Sequence, residues 1–429
     1  MKKITMSAVA LTAIMGSFSS VSAADGINIL SDLKVDGEIR PRYEYVDDSN
    51  SQTANANAIT ARTKLKVTGK LFDVDGLSAS VGIISVNNFG FHEYNAKDGH
   101  DYTDGSGKPY AVVVDPQKAM ISNAEINYTI DKTLLHAGRG QVNLDNQRFI
   151  GTVGWRQLER SYDSVFVANN SIKNLSVLAA WVYGLQGVGS VPGGQSPIGA
   201  DTYDTNSILL HAAYTVMPEL KVTAYDYMLA NLSDTYGLAL TGNFKMDAVK
   251  LNYRAEYAMQ SDATMEIHEQ KPDTGKADAY YYNLDLGANI SGFIAGLNYE
   301  FLSGSTGNDD KTAFSTPLGT NHKFNGWADM FLKATPTGGL ADANIRLGYK
   351  DKTLGKVLAI YHDFSTDKDM NGKNDLGTEF DVLYANKIPG VKNLSGLIKG
   401  AYYKAGNVAN YTRNKKLAWV QLDYKFSTK

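Results

Sequence analysis

From Val35 to Tyr45 the chain changes character at every second residue. Val35, Gly37, Ile39, Pro41, Tyr43 and Tyr45 are apolar, small or aromatic, and the intervening Asp36, Glu38, Arg40, Arg42 and Glu44 are all charged. A strand points successive side chains to opposite faces, so this segment has one greasy face and one ionised face. The pattern recurs. Leu65, Val67 and Leu71 oppose Arg62, Lys64 and Lys66, and Val249, Leu251, Tyr253, Ala255 and Tyr257 oppose Lys250, Asn252, Arg254 and Glu256. Phe293 to Phe301, Ala343 to Tyr349 and Ala418 to Phe426 repeat it.

The runs between polar connections predict about 18 strands. They lie at 33–46, 58–72, 77–88, 119–131, 133–141, 161–170, 175–186, 204–216, 219–230, 235–246, 248–260, 278–290, 293–303, 340–350, 356–365, 376–386, 394–405 and 416–426. Short turns such as Asp131-Lys132, Met246-Asp247 and Ser291-Gly292 alternate with long polar loops at 47–57, 89–118, 142–160, 187–203, 261–277 and 303–339. Two-faced strands, even in number and joined alternately by short and long connections, predict an all-β, antiparallel transmembrane barrel. Its short turns face the periplasm and its long loops the exterior. An exported β-helix or sandwich is the soluble alternative. It calls for repeats of 20 to 30 residues, which the sequence lacks.

The address agrees. Lys2 and Lys3, the apolar stretch Ile4 to Phe18 and the small-residue site Val21-Ser22-Ala23 read as a cleaved leader over 1–23, leaving 24–429 as a single domain. The full chain carries a net charge of −3 with no basic block, which argues against a nucleic-acid partner. With no Cys it has neither disulfides nor thiolate metal sites. The 26 Tyr suit aromatic girdles at the two membrane interfaces. The partners expected are outer-membrane lipid and lipopolysaccharide, the barrel-insertion machinery and small hydrophilic solutes. Monomer and homotrimer both stay open.

Two blocks carry a family resemblance. One runs Gly138-Arg139-Gly140-Gln141-Val142-Asn143-Leu144-Asp145-Asn146-Gln147-Arg148-Phe149-Ile150-Gly151, then Val153-Gly154-Trp155-Arg156-Gln157 and Glu159-Arg160. The other runs from His322 through Phe324, Gly326, Trp327 and Asp329 to Leu332, followed by Pro336 and Gly339-Leu340. Together they resemble segments of the alginate export family of bacterial outer-membrane barrels. The layout is also similar to that of the major porins of Campylobacter-like bacteria. The resemblance implies an 18-stranded channel with a loop-narrowed pore. It does not imply alginate as solute. Barrels of this class usually end on an aromatic residue, whereas here Phe426 is followed by Ser427-Thr428-Lys429.

Within that frame the loop 142–160 is the expected constriction. The expected pore lining comprises Arg139, Asp145, Arg148, Arg156, Glu159 and Arg160 in or beside the loop, with Glu38, Arg40, Arg42, Arg62, Lys64, Lys66, Arg254 and Glu300 on strand faces. Such a set can form a positive ladder that grips carboxylates or phosphates, or its arginines can pair with neighbouring acids and pin the loop to the wall. The loop 367–375 is the expected calcium site. Asp367, Asp369, Asn371 and Asp375 fall at spaced ligand positions with Gly372 at the sixth, but Thr378 stands where a bidentate Glu belongs. No cofactor is otherwise required. No Ser, His and acid fall in a recognisable catalytic context. The function read from the sequence is a porin passing small hydrophilic solutes by diffusion. The alternatives are a channel selective for anionic sugars or organic acids, and a non-channel surface adhesin.

Overall fold

The computed structural model describes residues 21–22, 28–97, 100–188, 203–265, 278–305, 312–332 and 335–428. Nearly all of the expected leader lies outside the described residues. Eighteen strands form the ring. They are β1 (Asn28–Asp47), β2 (Ala56–Leu71), β3 (Leu77–Asn87), β4 (Lys118–Ile130), β5 (Thr133–Gly140), β6 (Ser161–Asn169), β7 (Leu175–Gln186), β8 (Tyr203–Met217) and β9 (Leu220–Leu229), then β10 (Ser233–Met246), β11 (Val249–Ser261), β12 (Ala279–Ile290), β13 (Phe293–Leu302), β14 (Leu340–Asp351), β15 (Gly355–Ser365), β16 (Asp375–Lys387), β17 (Leu394–Ala405) and β18 (Lys415–Ser427). A two-residue strand, Val21–Ser22, pairs with the start of β1.

Every strand pairs antiparallel with its sequence neighbours, and β18 closes on β1 from Lys416↔Asp47 to Ser427↔Asp36. Closure leaves the ring no unpaired edge, which is the condition for a sheet to sit in hydrocarbon. Both ends of the ring fall on the short-turn side. At that side Asp131, Asp247 and Ser291 adopt positive φ (51°, 48° and 51°), and Gly292 follows at 96°. These are the backbone conformations that tight hairpins demand.

Burial is inverted relative to a soluble protein. Leu284, Leu286, Leu297 and Leu347 point out, while Arg42, Arg62, Glu256, Glu300 and Asp381 point in and are buried. This is the face assignment of a transmembrane barrel. The first strand starts earlier than its alternation predicts. Asp32 takes φ 50° and the register with β2 slips between Ser31 and Lys34, so the period-2 signal breaks while pairing continues.

At the seam the Phe426 ring lies over Gly37, where a Cβ would stand 2.0 Å from its Cζ. The displaced C-terminal aromatic thus covers a glycine on the neighbouring strand, a packing that restores lost side-chain contact.

Candidate functional site: a lumen narrowed by two loops

Two connections fold inward. The first joins β5 to β6 and the second joins β13 to β14. The first is held by a run of wall arginines. Arg40 Nη1 donates to Gly154 O (3.0 Å), Arg42 Nη2 to Trp155 O (2.5 Å) and Arg62 Nη1 to Arg156 O (3.3 Å). Three consecutive loop carbonyls therefore meet three guanidinium groups from β1 and β2. Gln157 completes the seam, donating its side-chain amide to Arg40 O and Thr60 Oγ1 and its backbone N–H to Asp115.

The far end of the same loop reaches the opposite wall. Phe149 sits among Tyr225, Tyr227, Tyr281 and Phe314, with ring centroids 5.3 to 6.3 Å away. Arg148 lies 2.9 Å from Glu300 on β13 and donates to Asn325 Oδ1 at 2.8 Å. Arg160 donates to the carbonyls of Gly151 and Leu318, tying the two loops together. Arg156 bridges Glu44 on the wall and Asp329 on the second loop, each at 2.9 Å.

The second loop docks on a row of wall acids. Gly326 takes φ 82°, and there the backbone N–H groups of Trp327 and Ala328 donate to Asp381 (3.2 Å) and Glu379 (2.7 Å). A Cβ on Gly326 would stand 2.5 Å from a Glu379 oxygen, so only glycine fits the turn. Asn325 donates to both Glu300 and Asp342. Lys399 of β17 is enclosed by Trp155, Trp327 and Trp419, its Nζ 3.9 to 4.9 Å from the ring centroids, and lies 2.6 Å from His322 Nε2. Indole faces stabilise such a desolvated cation.

Burial pushes the His322 imidazole down to about 4, against the pull of Asp329. Asp329 faces both His322, Nδ1 to Oδ1 at 2.6 Å, and Arg156, Nη2 to Oδ2 at 2.9 Å. Burial opposes ionisation of Asp329, yet its partners bring its carboxyl down to about 2.

The expected lining divides into four groups and one exception. Arg148, Arg156 and Arg160 are buried and act as staples between loop and wall, so these arginines do not present their charge to open solvent. Arg40, Arg42, Arg62 and Glu38 belong to the same braced region, with Arg62 2.5 Å from Glu38 and Arg40 2.7 Å from Asp423. Glu300 is likewise enclosed, accepting from Tyr281 and Asn325. Lys64 pairs with Glu159 and Lys66 with Glu125, and both lysines stay partly open. Asp145 and Arg254 lie on the other side of the loop. Asp145 accepts from His211 at 2.9 Å, and Arg254 pairs with Glu256 at 2.7 Å. Burial would raise the Asp145 carboxyl, but His211, Arg254 and Lys221 hold it below the usual carboxylate value.

Arg139 is the exception and corrects the reading of it as pore lining. It stands opposite Ala124 and Asp163 and continues the outward series Leu135, Ala137 of β5. The alternation of the strand decides this: His136 and Gly140 take the inward positions.

The calcium expectation also meets a different geometry. Asp369 accepts from Gly372 N and Asp375 from Gly377 N, each within its own turn, while Asp367 accepts from Gly304 N at the start of the second loop. Among the described residues no three His, Cys, Asp or Glu converge as a metal group. The loop does not present the shared oxygen cage that calcium takes.

The sequence reading passed over Lys323, whose Nζ reaches Asn146 O on the first loop at 3.0 Å. Burial and the nearby Arg254 charge lower its pKa. Also passed over were the acids Asp342, Glu379 and Asp381 that seat the second loop. Their inward positions on alternating strands were the available signal.

Fold and lumen together define the class: a transmembrane β-barrel with two wall-anchored loops folded into its bore. Its structure is similar to that of Acinetobacter baumannii OccAB4, at 16% identity over 93% of this chain and 99% of that one, with a TM-score of 0.68. Pseudomonas aeruginosa OccK8 (OprE) gives 15% identity, 93% and 99% coverage and a TM-score of 0.67. P. aeruginosa OccK9 (OpdG) gives 15%, 92% and 99%, with a TM-score of 0.69. At these identities the likeness shows the fold, a closed 18-strand barrel. No family model and no curated protein matches the chain, so the alginate export resemblance stands on its two blocks alone.

Proposed function

We propose that the protein is a bacterial outer-membrane porin through which small hydrophilic solutes and ions diffuse passively. The observation that carries this reading is the pair of inward loops fixed to the wall by buried charges. Loops folded into a polar bore set its width and charge, and diffusion past them needs no energy source. The similarity to OccAB4 and OccK8 supports the same reading at the level of fold.

A second reading is selectivity for anionic sugars or organic acids. Lys323, Arg254 and Lys221 gather about the tip of the first loop near Asp145, a local excess of positive charge. Cations placed in a narrow, partly desolvated passage favour solutes that carry carboxylates. The role is transport rather than catalysis.

Planar-bilayer recording of the purified protein tests the proposal. Discrete conductance steps are expected, and a silent bilayer would turn the reading toward a surface adhesin. Reversal potentials in a salt gradient then decide between general and anion-preferring passage.

A further inference from the structure

The second loop is seated on two wall acids that stand side by side. Glu379 and Asp381 take successive inward positions on β16 and are 1% and 0% exposed. Their carboxyl groups lie within hydrogen-bonding reach of each other. Each spends one oxygen on the loop. Glu379 Oε1 accepts from Ala328 N at 2.7 Å, and Asp381 Oδ2 accepts from Trp327 N at 3.2 Å. The remaining oxygens, Glu379 Oε2 and Asp381 Oδ1, are enclosed and have no hydrogen-bond donor among the described residues.

The polar groups packed around the pair are committed elsewhere. From β15, His362 Nδ1 lies 2.9 Å from Asp342 Oδ1 on β14, and its Nε2 is 3.7 Å from Asp381 Oδ2, beyond hydrogen-bond range. From β17, Lys399 Nζ contacts His322 Nε2 and three indole rings, and Tyr403 donates its hydroxyl to Leu376 O. From β18, Lys415 Nζ donates to Ala328 O at 2.6 Å. The loop adds a further negative charge in Asp329, which is itself held by Arg156. The two lysines offset charge at a distance but give no hydrogen to Oε2 or Oδ1. Two ionised carboxylates in contact inside a protein repel, and one proton held between them turns that repulsion into a hydrogen bond.

We propose that Glu379 and Asp381 share a single proton and that this proton latches the second loop to the wall, so that alkaline solution frees the loop. The effect on the bore rests on the porin reading above. Trp327 and Ala328 are consecutive, so their N–H groups hold both acids only while the two carboxyl groups stay together. Loss of the proton leaves like charges in contact. The carboxylates then part, Asp381 toward Lys399 and Glu379 toward Lys415, and at least one loop amide loses its acceptor. Trp327 is also one wall of the cage around Lys399, so its departure opens that cage. Gly326, at φ 82°, is the hinge. The joint at Arg156 and His322 answers to acid; this one answers to base.

Infrared difference spectroscopy of the full chain in lipid nanodiscs, paired with planar-bilayer recording at matched salt, tests this. A protonated-carboxyl band is expected at neutral pH and is lost in alkali. The single-channel conductance is expected to change over the same interval. Glu379→Gln keeps an acceptor for Ala328 and supplies an N–H to Asp381; Asp381→Asn does the same from the other side. Both variants are expected to lose the band and the alkaline conductance change together, with heat-modifiable gel mobility as the check on folding. Four results overturn the proposal: no such band in the wild type, a band that persists in both variants, a conductance that ignores loss of the band, and an alkaline change that moves with added calcium or sodium at fixed ionic strength, which would place a metal cation between the oxygens. A silent bilayer refutes the porin reading alone, because the band still reports on the pair. Conducting channels without the band remove the latch and leave the porin reading standing.

Discussion

Arg156 Nη1 lies 2.9 Å from Glu44 Oε1, joining the middle of the first inward loop to the first strand of the wall across 112 residues of sequence. The same guanidinium holds Asp329 of the second loop through Nη2. Replacing Arg156 by Ala strands two buried carboxylates, at a cost of about 3 to 5 kcal/mol to loop anchorage. The expected result is a larger, noisier single-channel conductance and a lower melting temperature. A variant recording that overlays the wild type would refute this role for Arg156.

Acid acts on the same joint. The His322 pKa falls from 6.5 to about 4 in the folded protein, and that of Asp329 from 3.8 to about 2. Both depressed values mean that the unfolded or undocked state binds protons first. Anchorage is complete above pH 6.5, weakens as His322 protonates between 6.5 and about 4, and weakens again as Asp329 protonates between 3.8 and about 2. The His322 step is worth on the order of 3 kcal/mol. Protease sensitivity of the loops should rise over the upper window in wild type and stay flat there in His322→Gln. An identical profile in both would show that another group governs the change.

Lys323→Gln and Arg254→Gln remove cations from the tip of the first loop without touching the staples at Arg148, Arg156 and Arg160. Each should reduce the anion-to-cation permeability ratio several-fold, read from the reversal potential, and the effect should shrink as salt rises. Unshifted potentials in the double variant would place the selectivity elsewhere in the bore.

The seam supplies a fourth expectation. Gly37 lies under the Phe426 ring, and a side chain there must displace it. Gly37→Val should slow barrel closure and lower thermal stability by about 1 to 3 kcal/mol. Gly37→Val with Phe426→Ala should recover part of the loss. Heat-modifiable gel mobility of the folded barrel reads both.

The strands were legible because each holds one face in lipid and the other in water, which writes a period of two into the chain. Legibility failed where the wall is not two-faced. The slip at Ser31 to Lys34 hid the start of β1, and Arg139, read with the loop beside it, falls on the outward face by the alternation of β5. The inward loop 142–160 was legible from its cluster of arginines. Their duty was not, since a guanidinium that binds solute and one that binds a backbone carbonyl look alike in a one-dimensional pattern. Gly154 O, Trp155 O and Arg156 O are the actual recipients of Arg40, Arg42 and Arg62, and carbonyls leave no trace in side-chain sequence.

The first inward loop touches β1 and β2 at one end and β9, β12 and β13 at the other. A hollow cylinder tied across its diameter resists being squeezed oval, much as a spoke keeps a rim round. The segment that sets the bore is therefore also the brace that keeps the shell circular under lateral membrane pressure, so aperture and mechanical stiffness cannot be tuned independently.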